Sequence, residues 1–292
     1  MMKTLNILGA GRLGQTLGYL WHHHSALTLQ ALANRTLAST QTAQQFIGAG
    51  QCFTLDHIAA MPKADLWLLA CPDDHIQTYC EQLAATHDLT NCLVFHCSGA
   101  LTAQAVLASA QQQGAGVASI HPIKSFAQPS LAIQTFSGTY CGVEGDSAAL
   151  QTLIPLFDTL GTHCVGIKAE AKTLYHAASV IACNYLVALQ ELALQTYAQA
   201  GVERDQALAI LQPIVTTTVE NIFQLDTTQA LTGPIARGDV QTVAKQIHAL
   251  QNWNRRYAEL YQSLGQIALQ LAQKQHNLAP SSTELLPLLA NH

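Results

Sequence analysis

The stretch Leu5-Asn6-Ile7-Leu8-Gly9-Ala10-Gly11-Arg12-Leu13-Gly14 constrains this chain more than any other. A short apolar run enters a G-x-G-x-x-G turn and leaves as a helix, predicted over Gln15 to Trp21. The glycines have separate tasks. Gly9 makes the tight turn, Gly11 lets a pyrophosphate approach the backbone, and Gly14 lets the helix pack close to the strand. The helix N-terminus, opened by Arg12 and Leu13, presents N–H groups and a partial positive charge to phosphates. Glycine-rich turns are common, but one set between a strand and a helix points to a dinucleotide site.

A second apolar strand, Leu27 to Ala33, indicates which dinucleotide. A site for NAD usually ends this strand in Asp or Glu, which bonds the ribose 2′-hydroxyl. Here it ends in Asn34-Arg35-Thr36. No carboxylate is present to repel a 2′-phosphate. Arg35 can pair with that phosphate, and Asn34 and Thr36 can donate neutral hydrogen bonds. The expected cofactor is NADP(H).

Composition narrows the class. The chain has 292 residues, of which 49% are hydrophobic and 11% charged, with a net charge of −5. That is enough for two domains and a substantial core, and the apolar excess suggests a subunit interface. A chain without a basic field has little means of holding nucleic acid or an anionic membrane. The eight cysteines form no C-x-x-C pair, which favours a reducing cytoplasm over a disulfide framework. No signal peptide precedes the first strand, and the apolar stretch from Ala177 to Leu189 is too short to span a bilayer. His22-His23-His24 ends the first helix and reads as surface; no metal site is expected.

The first half alternates strand and helix signals. Strands are predicted at Cys52-Phe53, Ala64–Ala70, Cys92–His96, Val117–Ile120, Tyr140–Glu144 and His163–Ile167, with helices over Leu37–Gly48 and Ser147–Leu160. Such βαβ alternation gives a right-handed, mostly parallel sheet with helices on both faces. From Ala169 only helical periodicity remains, over about 169–200, 203–224, 239–251 and 253–275. The expected boundary therefore gives a dinucleotide-binding domain over 1–167 and an all-helical domain over 168–292. The tail around Pro280-Ser281-Ser282 and Pro287 is expected to pack loosely or reach a neighbour.

In open α/β sheets ligands bind outside the carboxyl ends of the strands. Besides the glycine turn and Asn34–Thr36, two further strand ends are dense in special residues: Cys71-Pro72-Asp73-Asp74-His75 and His96-Cys97-Ser98-Gly99. Cys71, Pro72, His75 and Ser98 are candidate cofactor contacts, with Pro72 suited to a turn beside the nicotinamide. Asp73 and Asp74 read as helix capping. His121 ends a fifth strand before Pro122, with Lys124 close behind, and a histidine there suits proton delivery. Lys172, His176 and Asn184 recur at spacings of four and eight, nearly one helix face. His176 and Asn184 interrupt an apolar run, so they need partners or a cavity. Arg237, in Leu231-Thr232-Gly233-Pro234-Ile235-Ala236-Arg237-Gly238-Asp239, could clamp a substrate carboxylate. Asp239 reads as the cap of the next helix.

The successive motifs G-A-G-R-L-G, N-R-T, H-C-S-G-A-L, I-H-P-I-K-S-F, Y-H-A-A-S-V-I-A-C-N-Y and L-T-G-P-I-A-R-G-D resemble the Rossmann-like NADP oxidoreductases that carry a C-terminal helical domain of unknown function. That group is similar in architecture to pyrroline-carboxylate reductase, ketopantoate reductase and the β-hydroxyacid dehydrogenases. The resemblance implies an α/β fold: a doubly wound, mostly parallel Rossmann sheet followed by an all-α domain like the C-terminal domain of 6-phosphogluconate dehydrogenase. β-Hydroxyacid dehydrogenases place a catalytic Lys near the start of the first long helix of the second domain, with Asn one turn later. Here His176 lies near the Lys position, Val180 occupies the next turn and Asn184 the one after.

Two functions follow. One is reduction of a small carbonyl or imine, or oxidation of the matching alcohol or amine, with substrate between the domains. His176 or His121 would give the proton, Asn184 would orient the substrate, and Lys172 or Lys124 could supply charge. The other is a non-catalytic NADP-binding sensor or interaction protein, which the missing Lys favours. A homodimer through the helical domain is expected from apolar residues such as Tyr175, Val180, Leu186, Leu189 and Leu192.

Overall fold

The computed structural model describes residues 2–275 and 283–290. The chain forms two compact units, Met1–Cys183 and Asn184–His292.

In the first unit, β1 (Thr4–Leu8), β2 (Thr28–Asn34), β3 (Gln51–Thr54), β4 (Leu66–Leu69), β5 (Leu93–His96), β6 (Gly116–Pro122), β7 (Tyr140–Gly145) and β8 (His163–Gly166) form one sheet. Its order is β3-β2-β1-β4-β5-β6-β7-β8. Every neighbouring pair is parallel except β6 and β7. The connections include α1 (Arg12–His23), α2 (Leu37–Ile47), α3 (Asp73–Thr86), α4 (Ala103–Val106), α5 (Ala108–Gln112), α6 (Pro129–Gln134) and α7 (Ser147–Asp158). The strand order turns back between β1 and β4, which sets the end of β1 at the switch point where such sheets bind ligands.

Central strands are buried on both faces, so β4 reads Leu-Trp-Leu-Leu with no alternation. One core joins Trp21, Phe95, Leu153 and Phe157. Trp21 meets Phe157 edge-on at 5.1 Å between centroids. A second core, on Trp67, Ile76, Leu83 and Val94, contains residues of α3. Thr36 caps α2 by accepting from the Ser39 N–H, and Gly48 ends it in the left-handed region at φ +90°.

The first unit runs past the last strand and takes in α8 (Lys172–Ser179). The expected boundary near 167 follows the end of β8, but Lys172 is buried against Ser119 and Glu144 of the sheet, which ties α8 to it. Beyond α8 the backbone makes a π turn over Val180–Asn184. A π turn holds more residues than an α turn, so the spacing of four and eight that put Lys172, His176 and Asn184 on one face fails between His176 and Asn184. Asn184 is exposed and His176 half-buried, so Asn184 is not the enclosed polar residue expected from the apolar run.

The second unit holds α9 (Tyr185–Gln199), α10 (Arg204–Ala230), α11 (Val240–Trp253), α12 (Arg255–Lys274) and α13 (Leu285–Leu289). Its core joins Val243, Ile247, Leu269, Leu285 and Leu289. The tail residues 280–282 lie outside the described residues, whereas Pro287 sits inside α13, which is packed. By length and composition alone, the helical run Ala169–Gln199 is long and apolar enough to cross a membrane. The expectation of too short a stretch considered only its middle. The run begins with the buried ion pair of Lys172 and Glu144.

Candidate functional site

Two neighbouring regions of the first unit carry the candidate chemistry. The first is a cleft of about 770 Å³ lined by Gly9, Ala10, Gly11, Asn34, Arg35, Thr36, Cys71, Pro72 and His75, among others. Gly9 has φ +87°, and a Cβ there would lie 2.5 Å from the Cys71 backbone nitrogen. A Cβ on Gly14 would meet the Gly9 carbonyl at 2.9 Å, whereas one on Gly11 would meet only that carbonyl, at 4.0 Å. The turn is therefore a cradle that only glycine can form, open on the side of Gly11. No side chain caps α1 at Gly11. Its first N–H groups have no intrahelical acceptor, as at any helix start, and suit an anion.

Arg35 is exposed at the cleft, and among the described residues no carboxylate lines it. Asn34 and Thr36 are less available than expected. The Asn34 amide donates to the carbonyls of Ala10 and Ser39, at 3.3 and 3.1 Å. The Thr36 hydroxyl donates to Ser39 Oγ while capping α2. Arg12 is exposed at the start of α1, and Leu13 packs on the core. Burial raises the Cys71 thiol to about 12, so it adds no charge to the cleft. His75 lies 3.8 Å from Asp74.

The second region lies where β5, β6 and β7 meet α8. In the antiparallel pair, Ser119 faces Glu144 and His121 faces Gly142. Residues two apart on a strand share a face, so Ser119 and His121 lie side by side, as do Glu144 and Gly142. Residues 172, 175 and 176 of α8 cover that face. Lys172, only 1% exposed, places Nζ 2.5 Å from Ser119 Oγ and 2.8 Å from Glu144 Oε1. The same Glu144 oxygen accepts from the Ala103 N–H at 2.8 Å, at the start of α4. Burial lowers the Lys172 ammonium from its ordinary value, and Glu144 opposes that.

One turn along, the Tyr175 phenol rests on Gly142, where any side chain would collide with it. Its oxygen lies 3.2 Å from His121 Nδ1. Burial raises this phenol to about 12. The His121 ring meets that of His176 edge-on, 5.8 Å between centroids. Both histidines press on Gly99, whose missing side chain leaves them room. His176 Nδ1 is buried without a hydrogen-bond partner among the described residues. Burial, with His176 and Lys172 nearby, lowers His121 to about 4. Burial lowers His96 to about 3. Both imidazoles are neutral at pH 7.

Of the expected site residues, His121 and His176 come together. Ser98 is committed to structure: its hydroxyl donates to Asp73 at 2.7 Å and accepts from the N–H groups of Ala100 and Leu101. Asp73 thus binds Ser98, and no side chain caps α3. Lys124 donates to the Thr135 carbonyl. Asn184 and the exposed Arg237 belong to the second unit. Asp239 caps α11 through the Thr242 N–H. Glu144, Ser119 and Tyr175 were not anticipated. A charged residue closing the apolar run Tyr140–Glu144 was the available signal, since a buried carboxylate requires a partner.

Residues 2–122 match the Rossmann-like domain family, and residues 139–268 match the family described as Domain of unknown function (DUF2520). The chain therefore joins a Rossmann-like domain to a DUF2520 domain. Gly99, Ser119 and His121 belong to the first segment, and Gly142, Glu144, Lys172, Tyr175 and His176 to the second, so the cluster draws on both. No curated protein matches the chain in sequence. Among solved structures, protein TM1727 from Thermotoga maritima is 23% identical with a TM-score of 0.73, covering 93% of this chain and 99% of that one. The pyrroline carboxylate reductase of Plasmodium falciparum, with NADP bound, is 12% identical with a TM-score of 0.57, covering 95% and 98%. The V8 variant of an imine reductase from Myxococcus stipitatus, in complex with NAD+, is 16% identical with a TM-score of 0.61, covering 98% and 100%. These are likenesses of fold.

The depressed histidines make stability depend on pH. Below pH about 6.5 the unfolded chain protonates its histidines, while folded His121 and His96 stay neutral to about 4 and 3. The unfolded state then binds more protons, so stability falls as pH falls through this window. For His121 the loss is at most roughly 3 kcal/mol. Unfolding free energy measured from pH 7 to pH 4 is expected to show a shallower slope in His121→Asn than in the parent. Equal slopes would contradict the burial of His121 as a neutral ring.

Proposed function

We propose that this protein is an NADP(H)-dependent oxidoreductase that reduces a small carbonyl or imine compound, or runs the reverse oxidation. The observation that carries this reading is the nearness of two features along the strand ends of one sheet: a glycine cradle open to a dinucleotide, and the paired rings of His121 and His176. The cradle fits the cofactor: Gly9 and Gly14 leave no room for side chains, Gly11 is open, and α1 presents its first N–H groups. Those groups would hold the pyrophosphate, and Cys71 and Pro72 would flank the nicotinamide. When bound, the cofactor supplies hydride. The protein's own task is to orient the acceptor and provide a proton, which is the role given to His121 and His176.

Arg35, on a cleft without carboxylates, supports NADP(H) over NAD(H). Arg35→Ala is expected to weaken NADPH binding by about 1.5–3 kcal/mol, the scale of hydrogen bonds to a charged group, and leave NADH nearly unchanged. Titration of both cofactors into both proteins tests this. Equal losses, or tighter NADH binding by the parent, would refute the preference.

The activity is tested by following NADPH oxidation against a panel of small ketones, keto acids and cyclic imines. His176→Gln is expected to cut turnover of any substrate found by about 10²–10⁴ and to leave NADPH affinity nearly intact. An unchanged rate would remove His176 from proton transfer. NADPH binding with no turnover across the panel would favour a nucleotide sensor.

Eight free cysteines support a cytoplasmic setting. A homodimer through the helical unit is supported by its bare apolar surface: Val187 is 71% exposed, Ile214 55% and Phe223 85%. Light scattering at micromolar concentration is expected to give twice the chain mass of 31.3 kDa. A monomer mass would refute the dimer.

A further inference from the structure

The contact between Tyr175 and His121 determines where His121 keeps its proton. A neutral imidazole has one N–H, on either Nδ1 or Nε2, and the partner of one nitrogen decides the other. His121 Nδ1 has the Tyr175 oxygen at 3.2 Å. Among the described residues His121 Nδ1 is the side-chain partner of that phenol. If His121 carried its proton on Nδ1, its N–H would donate to the phenol oxygen, leaving the phenol proton without a protein acceptor in this half-buried place. With Nδ1 bare, the phenol O–H donates to Nδ1 and both groups are satisfied. The His121 proton then sits on Nε2.

Nε2 faces the shared space. A Cβ on Gly99 would lie 2.9 Å from His121 Nε2, and the same point collides with His176 Nδ1. The two rings thus turn Nε2 of one and the unpartnered Nδ1 of the other toward the Gly99 backbone.

We propose that Tyr175 is a positioning residue that locks His121 in the Nε2–H form and aims its one proton at the space His121 shares with His176. This rests on the proposed reductase activity for its purpose, though not for its geometry. Gly142 serves the same end, because a side chain there would displace the phenol. Ordinary packing would not fix a tautomer: a phenylalanine fills nearly the same volume and holds no proton.

The test separates geometry from activity. Long-range proton–nitrogen spectra of the full 15N-labelled chain at pH 7, without cofactor, report which imidazole nitrogen is protonated, and His121→Asn identifies the His121 signals. In the parent, Nδ1 is expected to be bare and Nε2 protonated. In Tyr175→Phe the His121 signals are expected to move toward a mixture of both forms. Where NADPH-dependent turnover is measurable, Tyr175→Phe should lower kcat about ten- to hundredfold, the scale of losing a partner that orients an imidazole. NADPH affinity should stay within about twofold, because Tyr175 does not line the cofactor cleft. A parent His121 protonated on Nδ1, or signals unchanged in Tyr175→Phe, would overturn the assignment. A protein without turnover but with the expected spectra would instead refute the reductase reading and leave the tautomer lock standing.

Discussion

The site depends on one buried ion pair. Lys172 and Glu144 are both nearly inaccessible, and each is satisfied beyond the pair: the ammonium by Ser119, the carboxylate by the Ala103 N–H. Removing one partner from such a pair costs about 3–5 kcal/mol, because the other charge is left buried alone. That penalty pins the first turn of α8 to β6 and β7 at one register. Residues three and four positions along a helix follow the first on the same face. Fixing Lys172 therefore fixes Tyr175 and His176 as well, over Gly142 and beside His121. An apolar residue at 172 could contribute comparable stability, but it would not define the register so sharply.

Lys172, one of the two lysines the sequence offers as a source of charge, is held in the ion pair with Glu144. Its charge is spent against Glu144; burial is the main reason His121 and His96 resist protonation, and the nearby Lys172 adds to it. His121 is therefore neutral at pH 7, and the protons it can offer with its partner reside on an imidazole and a phenol. Neutral donors can still protonate a developing alkoxide or amide anion, since the acceptor becomes far more basic as hydride arrives.

Much of the fold was legible in the sequence, because its signals are local. Continuous apolar runs marked β4 and β5, and the change from strand to helix signals near 167 followed the end of β8. The glycine turn was legible because each glycine answers a separate steric demand. The site was legible only in part. His121 and His176 were identified as polar residues at a strand end and on a helix, but their meeting at Gly99 depends on long-range packing. Glu144 and Tyr175 were hidden because their roles arise from cross-strand register: Glu144 faces Ser119, and Gly142 clears space opposite His121. The face expected from Lys172 to Asn184 failed for a similar reason, since a π turn leaves no clear trace in residue spacing. Ser98 and Asp73 were recognised as special, yet they bond to each other.

We propose that the strand ends of this sheet present a bound dinucleotide to the His121–His176 pair. A crystal structure with NADPH tests it most directly. The pyrophosphate is expected on the N–H groups of residues 12–14, the 2′-phosphate at Arg35, and the nicotinamide beside Cys71 and Pro72, with its reactive face toward Gly99 and the two histidines. A dinucleotide lying elsewhere, or a nicotinamide turned away from that pair and beyond the reach of one bridging water, would contradict the account.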